Sequence, residues 1–314
     1  MLGKFDNWFY GKLLLFGEYS VLMDSMALSV PCHMFKARLV FESKEKNAVS
    51  RNSNYHLQVY LGYLKSNSNY FKPILDLAKL ENDIQAGLYF DSSIPIGYGL
   101  GSSGALCAAL YMAYGMNRQK EELDLFTLNN TLASMEGGFH GRSSGLDPLI
   151  SYLNKPILVS EEKEIRVLDA QFDEFNREVV IILIDSKQKG DTAPLVTAFL
   201  DHCKNLEYKK QITEKLVPVT NQCIKSFSNN NMNSFFQAIQ VLSNFQYIHF
   251  ADKIPNGFKE LWKTGLDSNK FYLKLCGSGG GGFLLCFSNN NSETLLFLNK
   301  MGYSYQSVVL NLKI

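Results

Sequence analysis

The chain has 314 residues and a formal charge of +1, with 31 lysines and arginines against 30 aspartates and glutamates. Hydrophobic residues make up 46% of it and charged residues 19%, which excludes a disordered or fibrous chain and favours two domains. The balanced charge gives no field that would attract nucleic acid or an acidic membrane surface, so we expect neither as a partner.

The sequence also indicates the compartment. Six cysteines are scattered without C-x-x-C spacing, which favours free thiols in a core over a disulfide framework or a metal site. The N-terminal segment MLGKFDNWFYGK carries charges where a signal peptide needs an apolar stretch. The uncharged stretch 92–117 begins with a glycine-rich loop and leaves too short a helix for the ~20 residues of a membrane span. We therefore expect a cytoplasmic protein.

Hydrophobic periodicity predicts the elements of the N-terminal part. In chain order they are strands within 12–16 and 27–42, helices within 54–85, 105–116 and 121–136, a strand pair at 149–160 around Asn154, and a buried strand at 177–185. The polar, charge-rich stretch before this last strand marks a domain boundary, which gives domains at 1–177 and 178–314.

The C-terminal part has a different order of elements. The pattern predicts helices within 191–228, 231–245 and 256–268, the strand KFYLKLC, a glycine loop, the strand GFLLCF, a helix at 291–301 and the strand SYQSVVLNL. Helices followed by strand, loop, strand, helix and strand favour an α+β domain.

Glycine is confined to a few places. Of 23 glycines, 13 fall in three stretches, with four in 97–104, four in 137–145 and five in 277–282. The first stretch, GYGLGSSGA, directly precedes a predicted helix. Unpaired N–H groups and the positive end of the helix dipole bind anions there, and glycines let a phosphate approach the backbone. We therefore predict a phosphate site.

The kind of phosphate ligand has two interpretations. Residues 99–104 match G-x-G-x-x-G, which would make the protein an NAD-binding oxidoreductase. Pro95 and Gly97 stand where the buried first strand should run, however, and Glu121 and Glu122 open a helix where the second strand should end. The sequence also contains no G-x-x-x-x-G-K-[ST] phosphate loop. The oxidoreductase remains the remote alternative.

The second stretch lies between two carboxylates. Glu136 follows Leu132 by one helical turn, so its side chain should face the core, where a bound cation would compensate it. Asp147 precedes Pro148, which favours an extended backbone at the start of a strand. The two acids could hold a metal and a catalytic base in one site. No second histidine lies near His140, so a structural hydrogen bond is expected there.

The third stretch, GSGGGG at 277–282, joins two apolar strands. A hairpin needs only one or two glycines. Five of them indicate that another backbone, or a ligand, packs tightly against this loop.

Together with the N-terminal segment GKLLLFGEY at 11–19, the three stretches resemble the GHMP family of small-molecule kinases, which includes galactokinase, homoserine kinase, mevalonate kinase and phosphomevalonate kinase. Residues 95–104 are similar to its motif P-x-G-x-G-L-G-S-S-[AG], and residues 274–282 to its third motif. Within the family, H-G-x-x-S-G-x-D with its aspartate eleven residues after a glutamate is a mevalonate kinase pattern, which residues 136–147 follow.

The resemblance implies roles for the matching positions. Asp147 would take the proton from the substrate hydroxyl, with Lys12 beside it to offset charge on the transferring phosphoryl group. Ser103 and Glu136 would ligate the Mg²⁺ that bridges the phosphates of ATP. The phosphate-binding loop would comprise Gly99, Leu100, Gly101, Ser102, Ser103, Gly104 and Ala105. Substrate contacts would come from Glu18, Tyr19, His140, Thr192, Gly279 and Gly280.

The resemblance also implies a fold and an activity. The fold is α+β, with an N-terminal ribosomal S5-like β-α domain, a C-terminal ferredoxin-like α+β domain and an active site in the cleft between them. The activity is transfer of the γ-phosphoryl group of ATP, with Mg²⁺, to a small-molecule alcohol, most like mevalonate. A homodimer is compatible with the resemblance, and the sequence leaves the oligomeric state open.

Departures from the family pattern leave the substrate open. Mevalonate kinases usually read G-E-H where this chain has Gly17-Glu18-Tyr19, and they often carry an arginine where it has Gly190. G-E-Y and the loop form GYGLGSSG also occur in phosphomevalonate kinases, so that activity is the alternative. A third hypothesis, a catalytically inactive ligand sensor, is disfavoured because the catalytic positions are intact.

Overall fold

The computed structural model describes residues 6–41, 48–116, 124–168 and 179–308. The chain forms two compact units that alternate along the sequence. The first comprises Met1–Lys12, Pro31–Pro95 and Gly101–Asn154, and the second comprises Leu13–Val30, Ile96–Leu100 and Lys155–Ile314. The predicted boundary between residues 177 and 178 lies outside the described residues. In the ranges described, no helix is both long and apolar enough to cross a membrane.

The first unit is mainly helical. Strands β1 (Phe9–Phe16) and β2 (Ala27–Phe41) contribute residues to both units, and the first unit adds α1 (Ala48–Ser66), α2 (Ser68–Phe71), α3 (Leu77–Gln85), β3 (Leu88–Ser92), α4 (Ser102–Tyr114), α5 (Leu125–His140) and α6 (Leu146–Leu153). The end of β2 pairs antiparallel with β3, with Ala37 opposite Ser92. Helix α4 is largely buried and packs against α5 and α6, as predicted for a buried helix that follows the glycine loop.

Helix α6 corrects the prediction of a strand pair within 149–160. Only Ile157–Val159 is a strand in that range, and the preceding LISYL run belongs to the helix. Gly145 and Asn154 flank α6 in left-handed conformations, and Pro148 lies in its first turn, where a missing N–H costs nothing. Asp147 is consequently a first-turn helical residue and not the start of a strand.

The second unit combines sheet and helix. Its elements are β4 (Ile157–Val159), β5 (Ile165–Val167), β6 (Val180–Asp185), α7 (Thr192–His202), α8 (Leu206–Gln211), α9 (Val217–Ser228), α10 (Met232–His249), α11 (Lys259–Ser268), β7 (Phe271–Leu275), β8 (Phe283–Ser288), α12 (Asn291–Lys300) and β9 (Tyr305–Val308). A 3₁₀ turn covers Ser20–Met23, and a π-helical turn, Ile212–Leu216, links α8 to α9.

Antiparallel pairing organises the strands that the structure describes. One sheet has the order β7-β8-β6-β9, and the β7–β8 hairpin places Phe271 opposite Ser288. The other has the order β1-β2-β4-β5 with β3 beside β2. The hairpin and the helices around it confirm the predicted α+β character of the C-terminal part.

Phe16 lies at the centre of an aromatic cluster in the second unit. Its ring centroid is 6.1 Å from those of Phe227 and Phe235 and 5.7 Å from that of Phe287, and all four side chains are fully buried. The cluster joins β1, α9, α10 and β8. Offset and edge-on contacts of this kind add to the stabilisation that burial alone provides.

Replacing Phe16 with alanine should lower the free energy of unfolding of the second unit by about 3–5 kcal/mol, because it removes a ring from a packed core. The measurement is urea unfolding followed by tryptophan fluorescence in a Trp8→Phe background. The chain has two tryptophans, so the fully buried Trp262 then reports on this unit alone. Leu296→Ala, at a 70% exposed position of the same unit, is the control and should change stability by less than about 0.5 kcal/mol. Equal effects would contradict the assignment of Phe16 to the core.

Candidate active site

Lys12 and Asp147 form an ion pair within the first unit. Lys12 lies on β1 and Asp147 in the first turn of α6, and Lys12 Nζ is 3.1 Å from Asp147 Oδ1. The aspartate side chain is 32% exposed and the lysine 11% exposed. The ammonium and the N-terminal end of α6 both place positive charge beside the carboxylate. The predicted base and the lysine expected beside it are therefore together, with the carboxylate accessible.

The predicted phosphate loop lies directly against this pair. A Cβ on Gly101 would lie 2.9 Å from Lys12 Cγ and 3.3 Å from Asp147 Oδ2. A Cβ on Gly104 would lie 2.7 Å from Pro148 N and 2.9 Å from Asp147 Cβ. Both distances at Gly104 are shorter than any side chain tolerates, so glycine is required where α4 approaches α6.

Helix α4 begins immediately after Gly101, which has a left-handed backbone (φ +70°). The first turn of a helix presents backbone N–H groups that the helix cannot satisfy internally. Ser102 and Ser103 lie in this turn, and no side chain caps the helix. The turn therefore has the geometry of an anion site beside Lys12.

Glu136 faces inward from α5, as its spacing predicted. It is 4% exposed, and Ser103 Oγ donates a hydrogen bond to its Oε1 at 2.9 Å. Ser143 Oγ donates to its Oε2 at 2.5 Å and accepts from Gly145 N at 2.9 Å. Sequence reasoning missed Ser143, although its place between the two carboxylates could have indicated it. Ser143 ties Glu136 to the loop that leads to Asp147.

Asn129 holds the same loop from the other side. Its Nδ2 donates to Ser144 O at 3.0 Å, and a Cβ on Gly145 would lie 2.5 Å from Asn129 O. Its buried Oδ1 accepts no hydrogen bond from the residues described. Asn129 and Gly145 therefore fix the backbone just before the catalytic candidate.

A cavity of about 540 Å³ opens in the first unit beside Glu136. Its walls are aromatic side chains on one side and the end of α5 with the following loop on the other. The lining residues are Tyr63, Asn67, Tyr70, Phe71, Ala133, Ser134, Gly137, Gly141, Arg142 and Ser143. Ser143 lines the cavity and bonds Glu136, so the cavity adjoins the predicted metal position. No sequence motif marked these aromatic residues as a site.

In the second unit, three stretches of backbone lie against one another. Gly190 N donates to Gly97 O at 3.0 Å, and Gly282 N donates to Gln188 O at 2.7 Å. A Cβ on Gly190 would lie 2.9 Å from Gly279 O. These contacts confirm that another backbone packs against the third glycine loop. They also explain Gly190, because the contact leaves no room for an arginine side chain.

Glu18 is buried and paired with Lys274. Their side chains are 1% and 0% exposed, and Lys274 Nζ also donates to Leu275 O at 2.7 Å. Removing one partner of such a pair leaves an uncompensated buried charge. The pair links the segment before Tyr19 to the strand that leads into the glycine loop.

Tyr19 reaches the same loop. Its hydroxyl donates to Ser278 O at 2.5 Å, and Thr192 Oγ1 lies 3.1 Å from Ser278 Oγ. Burial first, then the charges of Asp252 and Glu18, raises the pKa of Tyr19, so the phenol stays protonated at neutral pH. The backbone of Tyr19 has φ +62°, which is rare for a residue with a side chain. Four predicted substrate residues, Tyr19, Thr192, Gly279 and Gly280, thus belong to one cluster.

Two further predictions concern His140 and the metal. His140 ends α5, but its side chain lies outside the described part of the structure. The described residues contain no group of three or more His, Cys, Asp or Glu side chains that would hold a metal alone. One buried carboxylate and a hydroxyl still fit Mg²⁺, which is commonly held by one or two carboxylates together with substrate phosphates.

Replacing Gly104 with alanine should destabilise the first unit by about 1–3 kcal/mol, because the new methyl group would overlap the α6 backbone. Gly62→Ala is the matched control, since it lies within α1 with no atom within 4 Å of the new Cβ. It should stabilise the unit by about 0.5–1 kcal/mol through helix propensity. Thermal unfolding of both variants is the measurement, and stabilisation by Gly104→Ala would contradict the close approach of α4 and α6.

Comparison with known proteins is consistent with this geometry. Residues 69–155 match the family model described as the GHMP kinases N terminal domain. Mevalonate kinase of Dictyostelium discoideum is 23% identical over 225 residues, a match covering 62% of this chain and 55% of that protein. Mevalonate kinase of Methanocaldococcus jannaschii is 24% identical over 310 residues, covering 92% of this chain and 94% of that protein. The match to the Dictyostelium protein thus spans little more than half of its length.

Solved structures share the fold. The crystal structure of L. major mevalonate kinase in complex with R-mevalonate has a TM-score of 0.64 at 15% identity, covering 98% of this chain and 96% of that one. Streptococcus pneumoniae phosphomevalonate kinase in complex with phosphomevalonate and AMPPNP has a TM-score of 0.62 at 13% identity, covering 96% and 99%. At these identities the likeness concerns the fold alone. Residues 69–155 of this chain therefore match the GHMP kinases N terminal domain, and the chain shares its fold with a mevalonate kinase and a phosphomevalonate kinase.

Proposed function

We propose that the protein is an ATP- and Mg²⁺-dependent kinase that transfers the γ-phosphoryl group to the primary hydroxyl of mevalonate. The observation that carries the proposal is the direct contact of the glycine turn before α4 with the Lys12–Asp147 pair. An anion-binding turn, a cation and an accessible carboxylate in contact are the parts that phosphoryl transfer requires.

Asp147 accepts the proton of the attacking hydroxyl in this proposal. Its accessible carboxylate is held by the first turn of α6 and by Lys12 Nζ at 3.1 Å. The lysine offsets negative charge on the phosphoryl group as the oxygen attacks in line. The α4 amides bind the phosphates, and the proposal requires no covalent intermediate on the enzyme.

Glu136 and Ser103 are the proposed ligands of Mg²⁺. Their side chains already touch, at 2.9 Å, and the ion would replace that hydrogen bond. Mg²⁺ held there would neutralise negative charge on the phosphates of the donor. Ser143 orients the carboxylate through its hydrogen bond to Oε2, and Gly145 N in turn donates to the Ser143 hydroxyl.

The aromatic cavity is the proposed position of the nucleoside. It lies in the same unit as the phosphate turn and adjoins Glu136 through Ser143. Flat aromatic walls with a few polar groups suit a purine ring and its sugar. This supports ATP as the phosphoryl donor. The antiparallel pairing of the described strands, and not the cavity, disfavours the alternative of an NAD-binding oxidoreductase, whose sheet is mostly parallel.

The acceptor would contact the second unit's cluster of Tyr19, Thr192 and the glycine loop. Tyr19 also keeps phosphomevalonate as the second candidate acceptor, since mevalonate kinases usually read G-E-H and G-E-Y also occurs in phosphomevalonate kinases. An ADP-release assay with mevalonate, phosphomevalonate, galactose and homoserine separates them. Turnover of mevalonate supports the proposal, and turnover of another acceptor alone would overturn it. The cytoplasmic location remains a prediction, and the oligomeric state remains open.

Asp147→Asn should lower kcat by about 10²- to 10⁴-fold, because the amide cannot accept the substrate proton. ATP affinity, measured by calorimetry, should be unchanged. Asp24→Asn is the matched control, since Asp24 is an exposed carboxylate 2.6 Å from Lys163 Nζ. It should retain full activity. A fully active Asp147→Asn variant would show that the base is assigned wrongly.

Ala133→Phe should raise the KM for ATP by about 10- to 100-fold, because the added ring would occupy part of the cavity. The KM for the acceptor should stay constant. Asn130→Phe places the same ring on an exposed position of α5 and serves as the control. If the KM for ATP is unchanged in Ala133→Phe, the nucleoside binds elsewhere.

A further inference from the structure

Lys253 is a fully buried cation that neither the sequence motifs nor the proposed chemistry uses. It follows α10 in the second unit, and its side chain is 0% exposed. Its Nζ donates to Asp252 Oδ2 at 2.8 Å and lies 5.4 Å from the ring centroid of Tyr19 and 5.5 Å from that of Phe250. An ammonium has three donors, yet among the described residues it makes this one hydrogen bond.

Such an arrangement is unusual for a structural ion pair. Burying an ammonium is costly unless hydrogen bonds replace its water, and two aromatic rings compensate it only in part. The two partners also differ in burial, because the Lys253 side chain is fully buried and that of Asp252 is 54% exposed. An exposed carboxylate on a buried ammonium means that a side-chain rotation of Asp252 would open one donor to a ligand.

Lys253 lies within the cluster predicted to contact the acceptor. Its carbonyl oxygen accepts from Gly280 N at 2.6 Å, and a Cβ on Gly279 would lie 3.1 Å from Lys253 Cβ. The Tyr19 ring against its ammonium is bonded through the hydroxyl to Ser278 O. The residues predicted from the sequence to contact substrate in this unit, Glu18, Tyr19, Thr192, Gly279 and Gly280, carry no positive charge. Lys253 supplies one.

We propose that Lys253 selects acceptors that carry a carboxylate, and that Asp252 occupies the carboxylate position in the free protein. This inference rests on the proposed function, since it concerns the acceptor of that reaction. The substrate carboxylate exchanges with that of Asp252 on the same ammonium, so the buried charge stays paired throughout. The exchange breaks and forms no covalent bond. A neutral alcohol cannot replace the Asp252 carboxylate on the ammonium, so Lys253 favours acceptors that carry a carboxylate.

The test compares mevalonate with 3-methylpentane-1,3,5-triol, in which a hydroxymethyl group replaces the carboxylate. The readout is the ratio of kcat/KM for the acid to that for the triol. Lys253→Met should lower this ratio by about 10- to 100-fold, the value of a charge-assisted hydrogen bond. Asp252→Asn should act in the opposite direction and lower the KM for the acid by about threefold or more, because it removes the competing carboxylate.

Two matched controls remove exposed ion pairs of the same unit. Lys225→Met removes a lysine whose Nζ is 2.6 Å from Glu161, and Asp201→Asn removes an aspartate 2.6 Å from Lys204. Neither should alter the ratio. Thermal unfolding of each variant shows whether it is folded. If Lys253→Met does not fold, Asp252→Asn at its half-exposed position still decides the question through the sign of its effect.

A purely structural Lys253–Asp252 pair predicts the reverse pattern. Both variants would then weaken the acid and the triol equally, or Asp252→Asn would raise the KM for the acid, and either result overturns the proposal. Calorimetric binding of the acid and the triol separates this from a failure of the proposed function. Lys253-dependent binding of the acid without turnover would contradict the kinase assignment and support the inference. Equal binding of the two compounds, or of neither, would overturn the inference.

Discussion

Close backbone approach at Gly104 is the constraint on which the candidate site depends. With no side chain there, α4 lies against the first turn of α6, and the Asp147 backbone comes within van der Waals contact of the helix that carries Ser103. Gly101 does the same for Lys12. A larger residue at either position would separate the anion-binding turn from the acid–base pair. The distance between the anion-binding turn and the Lys12–Asp147 pair therefore depends on the absence of side chains at Gly101 and Gly104.

Glycines also allow close backbone approach in the second unit, where they bring loops together instead of helices. Gly190, Gly281 and Gly282 bring the stretch at 188–190, the start of the first glycine stretch and the third glycine loop into backbone contact. Peptide groups satisfy one another there, which leaves the loop ordered without a regular element. The Tyr19 hydroxyl and the Lys253 carbonyl oxygen both form hydrogen bonds with this loop.

Both units contain buried charged side chains at or beside the candidate site residues. Glu136 is stabilised by serine hydroxyls, Glu18 by Lys274, and Lys253 by a half-exposed aspartate and two rings. The Glu18–Lys274 pair is enclosed by protein and has a structural character. The Lys253 pair differs, because its carboxylate partner is half-exposed, and an exposed partner at a buried charge is what ligand exchange requires.

The sequence by itself determined several local features of the structure. Helical spacing placed Glu136 inward, and excess glycine at 277–282 indicated backbone packing, because period and residue size are local properties. It failed at 149–153, where an apolar run fits strand or helix equally and the capping residues Gly145 and Asn154 decide for helix. Only the tertiary structure brought Ser143 to Glu136, formed the aromatic cavity and placed Lys253 under Tyr19. The cavity and the contact of Lys253 with Tyr19 join residues distant in sequence, and the bond of Ser143 to Glu136, seven residues away, depends on the course of the loop after α5. No periodicity encodes such contacts, because they depend on how elements and loops pack.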